Sequence, residues 1–118
     1  MKKLTKTFDS FDVVVVPFPF IDRAESKHRP AVILSSANSF NGQAGASVLA
    51  MITSATHATW PCDVAISDQN AAGLPVQSII RMKLFTLDHR LIIKQIGKLS
   101  KNDQKELSNT LKKLFTLF

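Results

Sequence analysis

Four consecutive valines, Val13-Val14-Val15-Val16, run straight into Pro17-Phe18-Pro19-Phe20. β-branched residues at successive positions favour extended backbone and present apolar side chains on both faces of a strand. Such a strand belongs in a core, and this one is predicted over residues 11–18. Two prolines at alternate positions then prevent the chain from continuing as a paired central strand, because neither has an N–H. A second apolar run, Ala31-Val32-Ile33-Leu34, follows Pro30 and predicts a buried strand over 30–36, with Pro30 as its first residue. Arg29 is thereby placed at the mouth of a rigid element. A guanidinium there has a fixed origin and a short reach, as a catalytic or phosphate-binding arginine needs. A surface arginine beside a turn would have the same local sequence.

The rest of the chain continues this short-strand pattern. Residues 1–10 are polar and basic and read as a flexible lead-in. Asp22, Arg23, Glu25 and Lys27 make a charged loop before Arg29, and 38–45 reads as a turn or loop rich in Asn, Ser and Gly. Further strands are predicted over 46–52, ending in Thr53-Ser54, over 62–66 with Cys62 inward and Asp63 outward, over 76–85, and over 90–93. The ending changes period. Ser100 is a good N-cap with Asp103 at the capping-box position, and Leu107, Leu111, Leu114, Phe115 and Phe118 form one apolar stripe of a helix over 100–118, read as core-facing. Short strands separated by turns, with one terminal helix, predict a mainly β fold, a small bent antiparallel barrel with a helix packed on it. The 118 residues suit a single domain, 1–118.

Composition narrows the function classes. Hydrophobic residues make up 45% and charged residues 20%, the profile of a globular chain. No apolar run approaches the roughly 20 residues that span a bilayer. The N-terminus has no signal-peptide pattern, because Asp9 and Asp12 interrupt the region after Lys2, Lys3 and Lys6. A cytoplasmic protein without a membrane partner is the expectation. Cys62 is the only cysteine, and His28, His57 and His89 have no metal-site spacing, so neither a metal nor another cofactor is expected. A net charge of +6 argues for a polyanionic partner.

The ordered set of Phe11-Asp12-Val13 through Phe20, His28-Arg29-Pro30-Ala31-Val32-Ile33-Leu34-Ser35, Met51-Ile52-Thr53-Ser54, Pro61-Cys62-Asp63-Val64, Ser78 through Asp88 and Ile96-Gly97-Lys98-Leu99-Ser100 resembles the PemK/MazF family of toxin endoribonucleases. The resemblance implies an SH3-like barrel, metal-free cleavage of single-stranded RNA at short sequences, a two-fold homodimer and a cognate antitoxin. It maps the family's arginine and threonine onto Arg29 and Thr53, and a family acidic position onto Glu25. Two family glycines are missing, one replaced by Phe11 and one absent from the loop before Arg29.

The chemistry fits that pair. Without a metal, the substrate's own 2′-OH can serve as nucleophile, and Arg29 can give bidentate donors to the phosphorane oxygens. A threonine hydroxyl is a poor base at neutral pH, so Thr53 is assigned positioning. His28, Ser54, His57, Ser78, Arg81 and Lys83 are the candidate RNA contacts around them. Trp60 is either a base-stacking platform or an anchor under its loop. Two other readings compete: a non-catalytic barrel that binds protein or RNA, and a gyrase poison of the CcdB type. The second acts through a Trp-Gly-Ile end, whereas this chain ends Phe115-Thr116-Leu117-Phe118.

Overall fold

The valine run forms a central strand. The computed structural model describes residues 7–18 and 27–116, and in it β1 (Asp12–Phe18) lies between β2 (Lys27–Ile33) and β6 (Lys94–Lys98). With β3 (Ala46–Ser54), β4 (Val64–Ala65) and β5 (Ser78–Asp88) these make a six-stranded sheet in the order β4-β5-β3-β2-β1-β6, antiparallel throughout and curled into a half-barrel. Alternation along the strands explains why β1 is apolar on both faces. Val13, Val32, Ala50, Ile52 and Ile80 point to one core, where Leu107 of the C-terminal helix (Lys101–Phe115) packs. Val14, Val16, Ala31, Ile33 and Leu49 point to another, closed by Phe8. Leu107 is fully buried, so truncating it to alanine costs on the order of 2–5 kcal/mol.

Several expected boundaries move, each for a local reason. β2 begins at Lys27, so Pro30 is its fourth residue and pairs with Val15. Pairing with β3 starts only at Ala31↔Met51, so the first half of β2 has one neighbour, and a residue lacking an N–H is tolerated there. Residues 7–10 are no loose lead-in. Phe8 is buried, its carbonyl accepts from Asn41 Nδ2, and Asp9 accepts from Ala37 N. The expected loop at 38–45 contains a wide helical turn over Ala37–Asn41, capped by Ser36, and a shorter one over Gly42–Ala44; Asn41 is buried as the tie to Phe8.

The strand expected at 62–66 shrinks to Val64–Ala65, because Cys62 occupies a turn with φ 64° and is exposed, not inward. Asp63, expected outward, is folded against Arg81 instead. The strand expected at 90–93 is displaced by a helical turn, His89–Leu91, which Asp88 caps by accepting from Arg90 N. The helix keeps its N-cap, Ser100 Oγ accepting from Asp103 N at 3.2 Å. Only the first part of its stripe is core: Leu107 is buried and Leu111 partly so, whereas Leu114 and Phe115 are exposed. Phe118 lies outside the described residues. Gly73 has φ 74°, and a Cβ there would stand 1.9 Å from the Ile96 carbonyl oxygen, so β6 packs against a turn that only glycine permits. No helix among the described residues is long and apolar enough to cross a membrane.

Candidate functional site

The gap between β2 and β3 is the place to look. Continuing the Ala31↔Met51 register by two residues puts Arg29 across from Thr53 on the same face, but the strands are no longer paired there. Two adjoining cavities, of about 270 and 410 Å³, open at this point, and Arg29, Ile52, Thr53 and His57 line both. The first is completed by Phe18, Met51, Arg81 and Lys83. Lys27, His28, Ser54 and Ser78 help to line the second.

Arg29 is anchored on strand backbone paired with Val16, and its guanidinium carbon lies 5.5 Å from the centre of the Phe18 ring. Its Nε is buried and has no hydrogen-bond partner among the described residues. A buried donor left unpaired costs about 1–3 kcal/mol, so the fold holds this one in reserve at a penalty. Thr53 is half-buried at the end of β3, and its Oγ1 lies 3.1 Å from His57 Nδ1. The turn that follows β3 delivers the imidazole. His57 N donates to Ser54 O at 3.3 Å, while Nδ1 sits 3.2 Å from the same carbonyl and 3.3 Å from Ser54 Oγ. Ser54 Oγ also meets Thr56 Oγ1 at 2.7 Å.

Other expected residues are placed differently. Ser78 is buried, and its hydroxyl donates to Val76 O at 2.9 Å, so it shapes the wall rather than offering a free donor. Arg81 is taken up by the protein itself. Its Nε and Nη2 donate to the two oxygens of Asp63 at 3.2 and 2.9 Å, and Nη2 also reaches the Ala58 carbonyl. Both side chains of that pair are nearly buried, at 12% and 11% exposure. The hydrogen bonds from Arg81 hold the Asp63 carboxyl below the usual carboxylate range, and Asp63 in turn raises Arg81. Arg81 therefore clamps the loop after β3, and its charge is met by Asp63. Lys83 lies 4.8 Å from the centre of the Trp60 ring and Arg81 5.7 Å from it, with Trp60 N donating to Asp63 Oδ2. Trp60 is thus anchored yet 43% exposed. His28 is exposed on β2. Glu25 lies outside the described residues.

A bulge explains the crowding of cations. Met51 pairs with Arg81 but Ala50 with Leu84, so Met82 and Lys83 are extra residues in β5, and Arg81 and Lys83 emerge on one face beside Thr53. Sequence reasoning missed the partner of Arg81. The signal was a cross-strand pairing: the Val64↔Ile80 register, continued by one residue, sets Asp63 opposite Arg81. It also missed the Thr53–His57 contact, whose only trace is a histidine four residues after a strand-terminal threonine, just far enough for one turn. Among the described residues, no three or more of His, Cys, Asp and Glu converge in a way that could hold a metal ion.

A family model for PemK-like, MazF-like toxins of type II toxin–antitoxin systems matches residues 9–115. No curated protein matches the chain. Solved structures share its fold. A MazE–MazF complex from Deinococcus radiodurans is 23% identical, with a TM-score of 0.75 over 96% of this chain and 100% of that one. The Mycobacterium tuberculosis toxin MazF-mt6 is 19% identical, with a TM-score of 0.72 over 91% and 98%. An endoribonuclease in complex with its cognate antitoxin, from a mycobacterial species, is 17% identical, with a TM-score of 0.71 over 95% and 96%.

Proposed function

The chain belongs to the PemK-like, MazF-like toxins of type II toxin–antitoxin systems, and from that premise we propose that it is a sequence-selective endoribonuclease that cuts single-stranded RNA in the cytoplasm. The observation that carries the reading is the unpartnered, buried Nε of Arg29, lining the same cavity as Thr53. A donor kept out of water and unsatisfied is preorganised for an acceptor that arrives with the substrate, and a phosphate offers several. Arg29 donates to the non-bridging oxygens and gains strength as negative charge builds on them. Thr53 Oγ1 orients the 2′-OH or the phosphate. The nucleophile is the 2′-OH next to the cut, so the reaction needs no metal and leaves a 2′,3′-cyclic phosphate and a 5′-OH. Lys83 extends the positive surface beside them.

The partners follow from the same surface. A neighbour of similar fold is held by its cognate antitoxin, and we assign this chain an antitoxin whose acidic segment competes with RNA for the cationic groove. We also assign it a homodimer, whose paired protomers lengthen a groove too short on one barrel. Incubation with a long mixed RNA in excess EDTA, followed by mapping of the cut ends, tests the reaction. Selective cuts with cyclic-phosphate and 5′-OH ends are expected. A strict need for added divalent metal, or 5′-phosphate ends, would overturn the mechanism. Mass in solution, measured by light scattering, tests the dimer.

A further inference from the structure

We propose that His57 is the general base of this reaction, accepting the 2′-OH proton through Nε2; the inference rests on the endoribonuclease reading above. A guanidinium is no proton acceptor at neutral pH, and a threonine hydroxyl is too weak a base there. An imidazole is the side chain suited to that exchange, and His57 is the one that lines both cavities with Arg29 and Thr53. His28 lines only the second.

The hydrogen bonds of His57 set its tautomer. Nδ1 lies 3.2 Å from Ser54 O, a carbonyl that can only accept. Its other neighbours, Thr53 Oγ1 at 3.1 Å and Ser54 Oγ at 3.3 Å, are hydroxyls that can accept as well. Nδ1 therefore carries the hydrogen, and in the neutral ring the lone pair is on Nε2. Among the described residues Nε2 has no hydrogen-bond partner. The charged and titratable groups that face the ring across the two cavities are Lys27, His28 and Arg29 from β2 and Arg81 and Lys83 from β5, and no carboxylate among the described residues lines either cavity. In the step itself, the 2′-oxygen bonds to phosphorus as its proton passes to Nε2. The P–O5′ bond breaks, and O5′ leaves with a proton from water. The imidazolium then returns its proton to the hydroxide so formed. The Nδ1–H bond to Ser54 O holds the ring in place throughout, and the hydroxyl of Thr53, which orients the nucleophile, lies 3.1 Å from the same ring nitrogen.

The test uses the full chain and an RNA that the wild type cuts. His57→Gln retains a donor for Ser54 O but has no basic nitrogen, and His57 is exposed, so folding is not at stake. Single-turnover cleavage should fall by about 10²-fold or more. Affinity for the same RNA made uncleavable by a 2′-deoxy substitution should stay within about threefold. The acidic limb of the wild-type pH–rate profile should disappear in His57→Gln, and added imidazole should restore part of the activity of His57→Ala. Cleavage by His57→Gln within about threefold of wild type, an acidic limb that persists, or a loss of rate matched by an equal loss of affinity would overturn the assignment while leaving the endoribonuclease reading in place. A wild type that cuts no RNA in a mixed pool would overturn the reading on which it rests.

Discussion

Asp103 and Arg29 are both charged side chains drawn out of water, and the molecule treats them in opposite ways. Asp103, in the first turn of the C-terminal helix, is fully buried. Its carboxylate accepts from Ser67 N at 2.9 and 3.1 Å, from Ser67 Oγ at 2.7 Å and from Asp68 N at 3.0 Å. Arg29 has a buried Nε with no partner among the described residues. The first charge has spent its hydrogen-bonding capacity on joining the helix to the loop after β4. The second keeps its capacity open beside a cavity. Burial alone therefore does not tell these two charges apart, whereas satisfaction does. Arg81 stands with Asp103, since it lines the cavity but is bonded to Asp63 and Ala58.

The contrast can be broken by exchange of consequences. Arg29→Ala should lower RNA cleavage by about 10²–10³-fold, the usual loss when a preorganised donor to developing charge is removed. Its thermal midpoint should hold steady or rise, because an unsatisfied buried donor is lost with it. A fall in stability with intact cleavage would reverse the assignment. Asp103→Ala should do the opposite, costing about 2–4 kcal/mol of folding free energy by orphaning the donors of Ser67 and Asp68 while leaving cleavage by the folded protein unchanged. Chemical denaturation beside an activity assay reads both.

The Asp103 end also carries a pH signature. Burial pushes this carboxyl up, but the hydrogen bonds from Ser67 and Asp68 outweigh burial and hold it below its ordinary value. A depressed carboxylate adds stability that is present in full above the unfolded value of about 3.9 and is lost as pH falls through the folded value. The wild type should therefore lose stability on acidification below about pH 4, and Asp103→Asn should flatten that part of the curve. An unchanged acid limb in Asp103→Asn would remove Asp103 from the account.

Smaller effects sharpen the place of Arg81. Arg81→Ala should free the loop that carries His57 and Trp60, giving a loss of cleavage of about tenfold and a red shift in the emission of Trp60, the only tryptophan. An unshifted spectrum would mean that Arg81 does not hold the loop. The finest distinction is electrostatic. With Arg81 neutralised by Asp63, the phosphate contacts on one protomer reduce to Arg29 and Lys83, and log K for an uncleavable single strand should fall with log salt at a slope of about −1.4, from about −0.7 per contact. Lys83→Ala should take about 0.7 off that slope, and Arg81→Ala should leave it unchanged. Equal changes in the two variants would restore Arg81 as an RNA contact.

Much of this was legible in the residues. Period and branching alone marked Val13–Val16 and Ala31–Leu34 as buried strands, because consecutive β-branched residues have few other ways to hide both faces from water. Ser100 marked the start of the helix, since a hydroxyl that caps a free N–H acts within one turn. Arg29 and Thr53 were legible as candidates through the ordered resemblance. Cys62, Arg90 and residues 7–10 were misread because side chains far away in sequence or in a turn decided them. Arg81 drew Asp63 inward, Asp88 captured the N–H of Arg90, and Asn41 reached back to Phe8. Local pattern fixes which residues seek burial and which backbone they favour, since those preferences belong to each residue and its neighbours. Whether a given charge is satisfied or left waiting depends on which strands become neighbours and where their pairing stops. For Arg29 and Arg81 that choice was made by the sheet, where β2 and β3 part after Ala31↔Met51 and a bulge in β5 turns two cations to one side; for Asp103 it was made where the helix meets the loop after β4.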